Sequence, residues 1–354
     1  MLAVGGNNSN STFSGVLANG AGTLALTKVG AGTLTLAGTA NTYSGGTKIE
    51  AGRIIITNSA ALGAGDVTIQ ASTGGGGANR AYLVMSNTTV TGKTLTLDSS
   101  TNRSILLSTG TSGSTWNGTI TLQGGTSTNG TTELANDTGN GPLTVAGSIG
   151  GSVSGGGALT LRGTGVTNVL SAGVSIGSTP IVKTDTGAWR ITSSGNTWGA
   201  TTISSGALEV GANDALPDAS NLTMAASTKL DLLSAYSDSV GTLTLTGNAT
   251  IDFGLTTGTG QTLAFSNSSA ISWSTFTLTI NGYESVSDTL RFGTSSAGLS
   301  AGQLAAINFT GYGSGAVIDS NGYVSPVPEP STYAMLALAG LGFGAHVLRR
   351  RRRS

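Results

Sequence analysis

One short unit dominates this chain: an apolar-x-apolar triplet followed by a turn rich in Gly, Asn, Ser and Thr. Leu24-Ala25-Leu26, Leu34-Thr35-Leu36, Val67-Thr68-Ile69, Leu95-Thr96-Leu97, Ile120-Thr121-Leu122, Leu159-Thr160-Leu161, Leu208-Glu209-Val210 and Leu243-Thr244-Leu245 are examples. Side chains alternate along a strand, so each triplet sends two apolar residues to one face and a polar one to the other. A strand this short cannot bury its apolar face alone, so it needs neighbours of its own kind. The triplets recur about every ten to twenty residues with no 3.6-residue periodicity between them, which predicts an all-β chain.

A longer repeat lies over the triplets. Gly32-Thr-Leu-Thr-Leu-Ala-Gly-Thr-Ala-Asn41-Thr-Tyr43 has a counterpart in Gly187-Ala-Trp-Arg-Ile-Thr-Ser-Ser-Gly-Asn196-Thr-Trp198. The match runs on through Ile49–Ile56 against Ile203–Val210, and Val67-Thr-Ile69 against Leu222-Thr-Met224. Self-similarity of this kind marks a stacked, quasi-one-dimensional architecture. A sandwich would show two-residue hairpin loops, and a propeller would show a blade motif about every 45 residues. Short strands with Gly/Asn corners fit a parallel β-helix best. With about 20 residues per coil, some 300 residues give about 15 coils and a rod near 70 Å long. Rows of identical Thr or Asn can then stack as ladders. Residues 124–178 read as a looser stretch, with bulges or disorder expected there.

Composition narrows the chemistry. There is no cysteine, which excludes a disulfide framework and thiol catalysis. Ser and Thr make up roughly a quarter of the chain and take over the solvation that charged residues, at 9%, do not provide. Five of the 16 basic residues are Arg349 to Arg353, and Glu329 is the one acid after residue 327. The body before Pro328 thus has eleven basic and fifteen acidic residues, and the sequence shows no basic stripe for nucleic acid. The first residues, Met1 to Asn8, have neither a basic n-region nor a long apolar stretch. They read as the interior of a repeat, which predicts either a misplaced start or a piece of a longer exported protein.

Candidate catalytic groups are sparse. Glycoside hydrolysis needs two carboxylates across a groove, and calcium-assisted chemistry needs clustered acids. The acids here stand singly, the nearest group being Asp214, Asp218 and Asp231, which reads as turn-capping aspartates. His346 sits beside the arginine tail without metal or triad partners in sequence. Tyr43, Trp116, Trp189, Trp198 and Trp273 could form a sugar-stacking set, but Tyr43 and Trp198 share one repeat corner, so packing is the expected role. No catalytic residue, metal site or cofactor is expected, and the chain reads as a non-enzyme.

Gly30 to Ile56 (G-AGTLTL-AG-TA-NTYSGGT-KI-EAG-RIII) resembles the autotransporter-associated β-strand repeat. That resemblance implies a right-handed parallel β-helix on an exported bacterial surface protein. The copy at Gly187 to Val210 is degenerate, with Trp198-Gly199-Ala200-Thr201 replacing the Tyr-Ser-Gly-Gly corner. The end of the chain resembles a PEP-CTERM sorting signal, and the order of its three parts makes that match specific. Val327, Pro328, Glu329, Pro330 and Ser331 form the motif. An apolar run from Tyr333 to Leu348 comes next, and then Arg349, Arg350, Arg351, Arg352 and Arg353. Prolines keep the motif extended. The run is about 16 residues, or ~24 Å, close to a membrane span once flanking residues and arginine snorkelling are added. Five arginines hold the C-terminus in the cytoplasm by the positive-inside rule.

The domains expected are therefore a β-helical region over 1–326, clearest over 21–97 and 187–253, the sorting motif over 327–332, a single transmembrane helix over 333–348 and a basic cytoplasmic tail over 349–354. The resemblance implies processing by an exosortase-type enzyme, passage through the inner membrane, and delivery to the cell surface or the extracellular space. Its expected role is structural, in adhesion, biofilm or association with exopolysaccharide or surface glycans. The competing function is a carbohydrate-active β-helix enzyme, a lyase or hydrolase.

Overall fold

The structure is a computed structural model, and it describes residues 1–71, 80–100, 102–124, 131–233, 235–254, 260–273 and 275–327. Over these residues the chain winds as a parallel β-solenoid with almost no helix. Each full coil lays one short strand on each of three faces. The first face stacks eight strands, from Leu2–Val4 to Val174–Ser175. The second and third faces stack eleven each. A five-stranded sheet beginning at Asp238–Val240 takes up the first-face position in the later coils.

Pairing is in parallel register, with apolar residue on apolar residue: Leu34 on Ile54, Leu95 on Ile120, Leu208 on Leu230. Triplets such as Leu143–Val145 and Leu159–Leu161 bury their outer two residues and leave the middle one half-exposed. One continuous core therefore runs the length of the rod. The polar middle residues stack as well. Thr68, Thr96 and Thr121 succeed one another up the first face, and Thr202, Thr223 and Thr244 up the second.

The rod has about eleven turns rather than fifteen, because its coils are longer than 20 residues wherever all three faces are occupied. The register partners Leu34 and Ile54 are 20 residues apart, but Leu106 and Leu134 are 28 apart. In the described part of residues 124–178, Leu143–Val145, Leu159–Leu161 and Thr167–Leu170 alternate as elsewhere, while Ile149–Ser152 leaves Gly151 and Ser152 exposed and pairs over two residues with Val174–Ser175. Alternation also breaks down on the second face. Arg80–Ser86 and Arg103–Thr109 are seven-residue strands with apolar residues on both sides, and Val84, Ile105, Leu107 and Ala135 form a small outer cluster of their own.

Among the described residues two short helical pieces interrupt the strands, a 3-10 turn at Ser59–Leu62 and an α-helix at Ala301–Ala305. Ser300 and Gln303 close a capping box on the α-helix. The last coil ends in antiparallel strands: Tyr323–Pro326 pairs with both Thr289–Phe292 and Ala316–Ile318. Among the described residues no helix is long and apolar enough to cross a membrane. The span expected over 333–348, the tail Arg349–Arg353 and His346 lie outside the described residues.

Candidate functional site

The two long repeats fold into the same corner. Asn41 accepts from the Leu17 amide (2.7 Å) and donates to the Ala61 carbonyl (2.9 Å), tying three coils together. Asn196 does the same with the Val174 amide and the Ala215 carbonyl, each at 2.8 Å. Next to it, the Tyr43 hydroxyl meets Thr47 Oγ1 at 2.6 Å, and Trp198 Nε1 donates to Thr201 Oγ1 at 2.8 Å. The aromatic ring fills the core while its polar tip finds a threonine.

A buried lysine completes each corner, and triplet reading overlooks it. The strand runs over Leu26–Lys28, not over Leu24-Ala25-Leu26, so Lys28 takes an inward position. Its ammonium donates to the carbonyls of Val29 and Gly30, both at 2.7 Å, and of Ala51 at 3.3 Å. Lys183, inward at the end of Ile181–Lys183, donates to Thr184, Asp185 and Ser205. Burial pushes the Lys183 amine down to about 8. A signal for it is present in the sequence: a lysine two positions after an apolar strand residue, in both copies.

The five aromatics form no sugar platform. Tyr43, Trp116, Trp189, Trp198 and Trp273 are all buried in the core, in keeping with the repeat corner that Tyr43 and Trp198 share. The acids fall into groupings that their sequence positions do not suggest. Asp231 stacks in register between Glu209 and Asp252 on the third face, away from Asp214 and Asp218. Arg190 pairs with Glu209 at 2.7 Å, and Lys229 lies 2.5 Å from Asp231 and 3.5 Å from Asp252. Burial raises Asp231, and the pull of Lys229 offsets part of that rise. Asp238, unremarkable in sequence, is 2% exposed. Its Oδ2 accepts from the Leu216 amide at 2.9 Å while Oδ1 has no partner among the described residues. Burial lifts this carboxyl to about 7.

Glu133 is completely buried, clamped by Arg103 on the preceding coil and by Arg162 on the following one, the latter at 2.9 Å. On the first face an open groove of about 520 Å³ runs beside Ser44, Gly45, Gly46 and Lys48. Among the described residues, no group of three or more His, Cys, Asp or Glu is arranged to hold a metal ion.

Of the sorting residues, the described structure reaches Val327, which is exposed and directly adjoins the strand Tyr323–Pro326. Pro328, Glu329, Pro330 and Ser331 lie outside the described residues. The passenger-associated-transport-repeat model matches residues 26–56 and 181–210, and the PEP-CTERM protein-sorting motif matches 326–353. The chain carries two transport repeats and a sorting motif. Both repeat matches begin at the strand that ends in the buried lysine, so each transport repeat includes its lysine, asparagine and aromatic corner. The sorting motif begins at the last residue of the closing strand. Together they imply export to the cell surface or extracellular space and processing by an exosortase. No curated protein and no solved structure matches the chain.

Proposed function

We propose that this chain is a non-catalytic β-solenoid rod that crosses the inner membrane, is cut at its sorting motif, and serves as a structural element of the cell surface or extracellular matrix. The observation that carries the reading is the junction at Pro326, where a closed solenoid gives way directly to the sorting motif. A rod finished by antiparallel strands can be released from its sorting segment without exposing its core. Adhesion to neighbouring cells or to exopolysaccharide is the role such a displayed rod would serve. The test is to fractionate the native cells and determine the C-terminal residue of the protein by mass spectrometry. A surface or released species ending within 327–331 is expected. A full-length cytoplasmic species that keeps Arg349–Arg353 would overturn the reading.

A carbohydrate-active enzyme is the second reading, and the column Glu209–Asp231–Asp252 favours it by placing three carboxylates on successive rungs about 4.8 Å apart. Each of these acids also has a basic neighbour, as a charge ladder requires. Release of reducing ends from a polysaccharide panel, lost in Asp231→Asn, would establish the enzyme; a panel left intact would retire it.

A further inference from the structure

Six arginines lie in the body, and winding brings four of them, Arg53, Arg80, Arg103 and Arg162, to the outer side of the second face. None is near another in sequence, so no basic stripe is visible there. Arg80 and Arg103 are register partners on adjacent strands. Arg53 is the register partner of Tyr82, and its guanidinium lies over that ring, 4.4 Å from the centroid. Arg103 and Arg162 hold Glu133 between them, and Arg162 also lies 3.3 Å from Asp185.

Arg53 and Arg80 have no acid partner among the described residues. The polar contact of Arg80 is a 3.4 Å approach of its Nη1 to the Tyr82 hydroxyl. Like charges at opposed register positions destabilise a sheet. Burial, then the neighbouring Arg80 and Arg162, hold the Arg103 guanidinium below its usual range. On the third face the same architecture alternates sign, Arg190 against Glu209. Glu133 relieves Arg103 but leaves its register partner Arg80 without an acid among the described residues, and a conflict of charge kept in this way is the mark of a site shaped by something other than stability.

We propose that this arginine column binds an acidic polysaccharide through carboxylate or sulfate groups carried along the glycan. Guanidinium forks match planar and tetrahedral oxyanions in bidentate geometry, and Glu133 already shows the column taking a carboxylate, with one oxygen on Arg103 and the other on Arg162. The column spans about four rungs, roughly 20 Å, which suits an extended polymer rather than a single ion. Its surface is a strand face, open along its length, with Arg80 exposed and the Arg103 and Arg162 side chains 29% and 34% accessible. A nucleic acid, with its closely spaced phosphates, wants a dense row of free cations, whereas Arg53 and Arg80 are the two of these four arginines without an acid partner among the described residues. The proposal names a partner for the exported rod and takes its setting, though not its chemistry, from that reading.

The test is calorimetric titration of the full chain with polygalacturonate, alongside neutral dextran and single-stranded DNA, at low and high salt. Salt-sensitive binding of the polyuronate is expected, with no binding of dextran. The double variant Arg53→Gln/Arg80→Gln removes no acid's partner, so it should fold as before and bind at least about tenfold more weakly. Arg291→Gln, outside the column, should bind like the parent. Arg80→Gln alone serves if circular dichroism shows the double variant unfolded. Absence of polyuronate binding, undiminished binding by the variants, or tighter binding of DNA overturns the proposal. Because the titration needs no export, its failure leaves the processing result standing, and a failed processing result leaves the titration standing.

Discussion

Lys28 and Lys183 make the same clamp in the two transport repeats: each ammonium donates to the carbonyls of the next two residues and to one carbonyl of the following coil. The shared geometry identifies the lysine as a structural part of the repeat, holding together a turn whose backbone oxygens would otherwise face the core.

Lys183→Met should fill the same space and leave three partly buried carbonyls without their shared donor. The expected loss is about 2–3 kcal/mol, since an unsatisfied buried acceptor costs ~1–3 kcal/mol and the turn can relax in part. Urea denaturation, with hydrogen exchange over residues 181–210, would locate the loss. Unchanged protection there would show that the clamp contributes nothing.

Asp238 predicts a pH dependence. Its carboxyl is lifted from 3.8 to about 7 by burial, so the folded state holds a proton that the unfolded state has lost between those values. The stability it supports is complete below pH 3.8 and falls as pH rises toward 7. Asp214 is the acid whose charge adds to the effect. Asp238→Asn should therefore raise the melting temperature near pH 8 relative to the parent and leave it little changed near pH 4. The measurement is paired melts across that range, and parallel curves would refute the assignment.

Glu133→Ala should be among the most damaging single changes on the second face. It leaves Arg103 and Arg162 facing each other without the buried carboxylate between them. Removing one partner of a buried ion pair costs about 3–5 kcal/mol. Because both arginines are partly exposed and can turn to solvent, the lower end is expected. Thermal melts would check it, and raising the salt should recover part of the loss by screening the two arginines.

Asn196→Ala removes two bonds to backbone groups on two other coils, those to the Val174 amide and the Ala215 carbonyl. A loss of about 2 kcal/mol is expected. Asn41→Ala should lose a similar amount, because the two side chains occupy the same place. A marked difference between them would mean that the two repeats are not mechanically equivalent.

Much of the fold was legible because triplets such as Leu95-Thr96-Leu97 fix which residues enter the core, and in a parallel stack that also fixes register. The number of turns was not legible, since loops of different length join identical strands, and the triplets do not say how many of them make one coil. Lys28 escaped because a charged residue at an inward position contradicts the alternation used to find strands; only the carbonyls gathered around it make that place tolerable. The arginine column escaped for a different reason. Arg53, Arg80, Arg103 and Arg162 become neighbours only when successive coils bring them together, and coil length is the quantity that strand patterning leaves open.

The hydrogen bonds between rungs run along the axis of the rod, while the strands lie across it. Tension applied along the axis therefore meets those bonds one rung at a time, and the closing strand Tyr323–Pro326, with two short antiparallel partners, is the first in line for any pull from beyond Val327. Under load a solenoid of this build releases length coil by coil instead of failing at once. Anchored at one end, it would act as a shock absorber, able to shorten again as each rung finds its register.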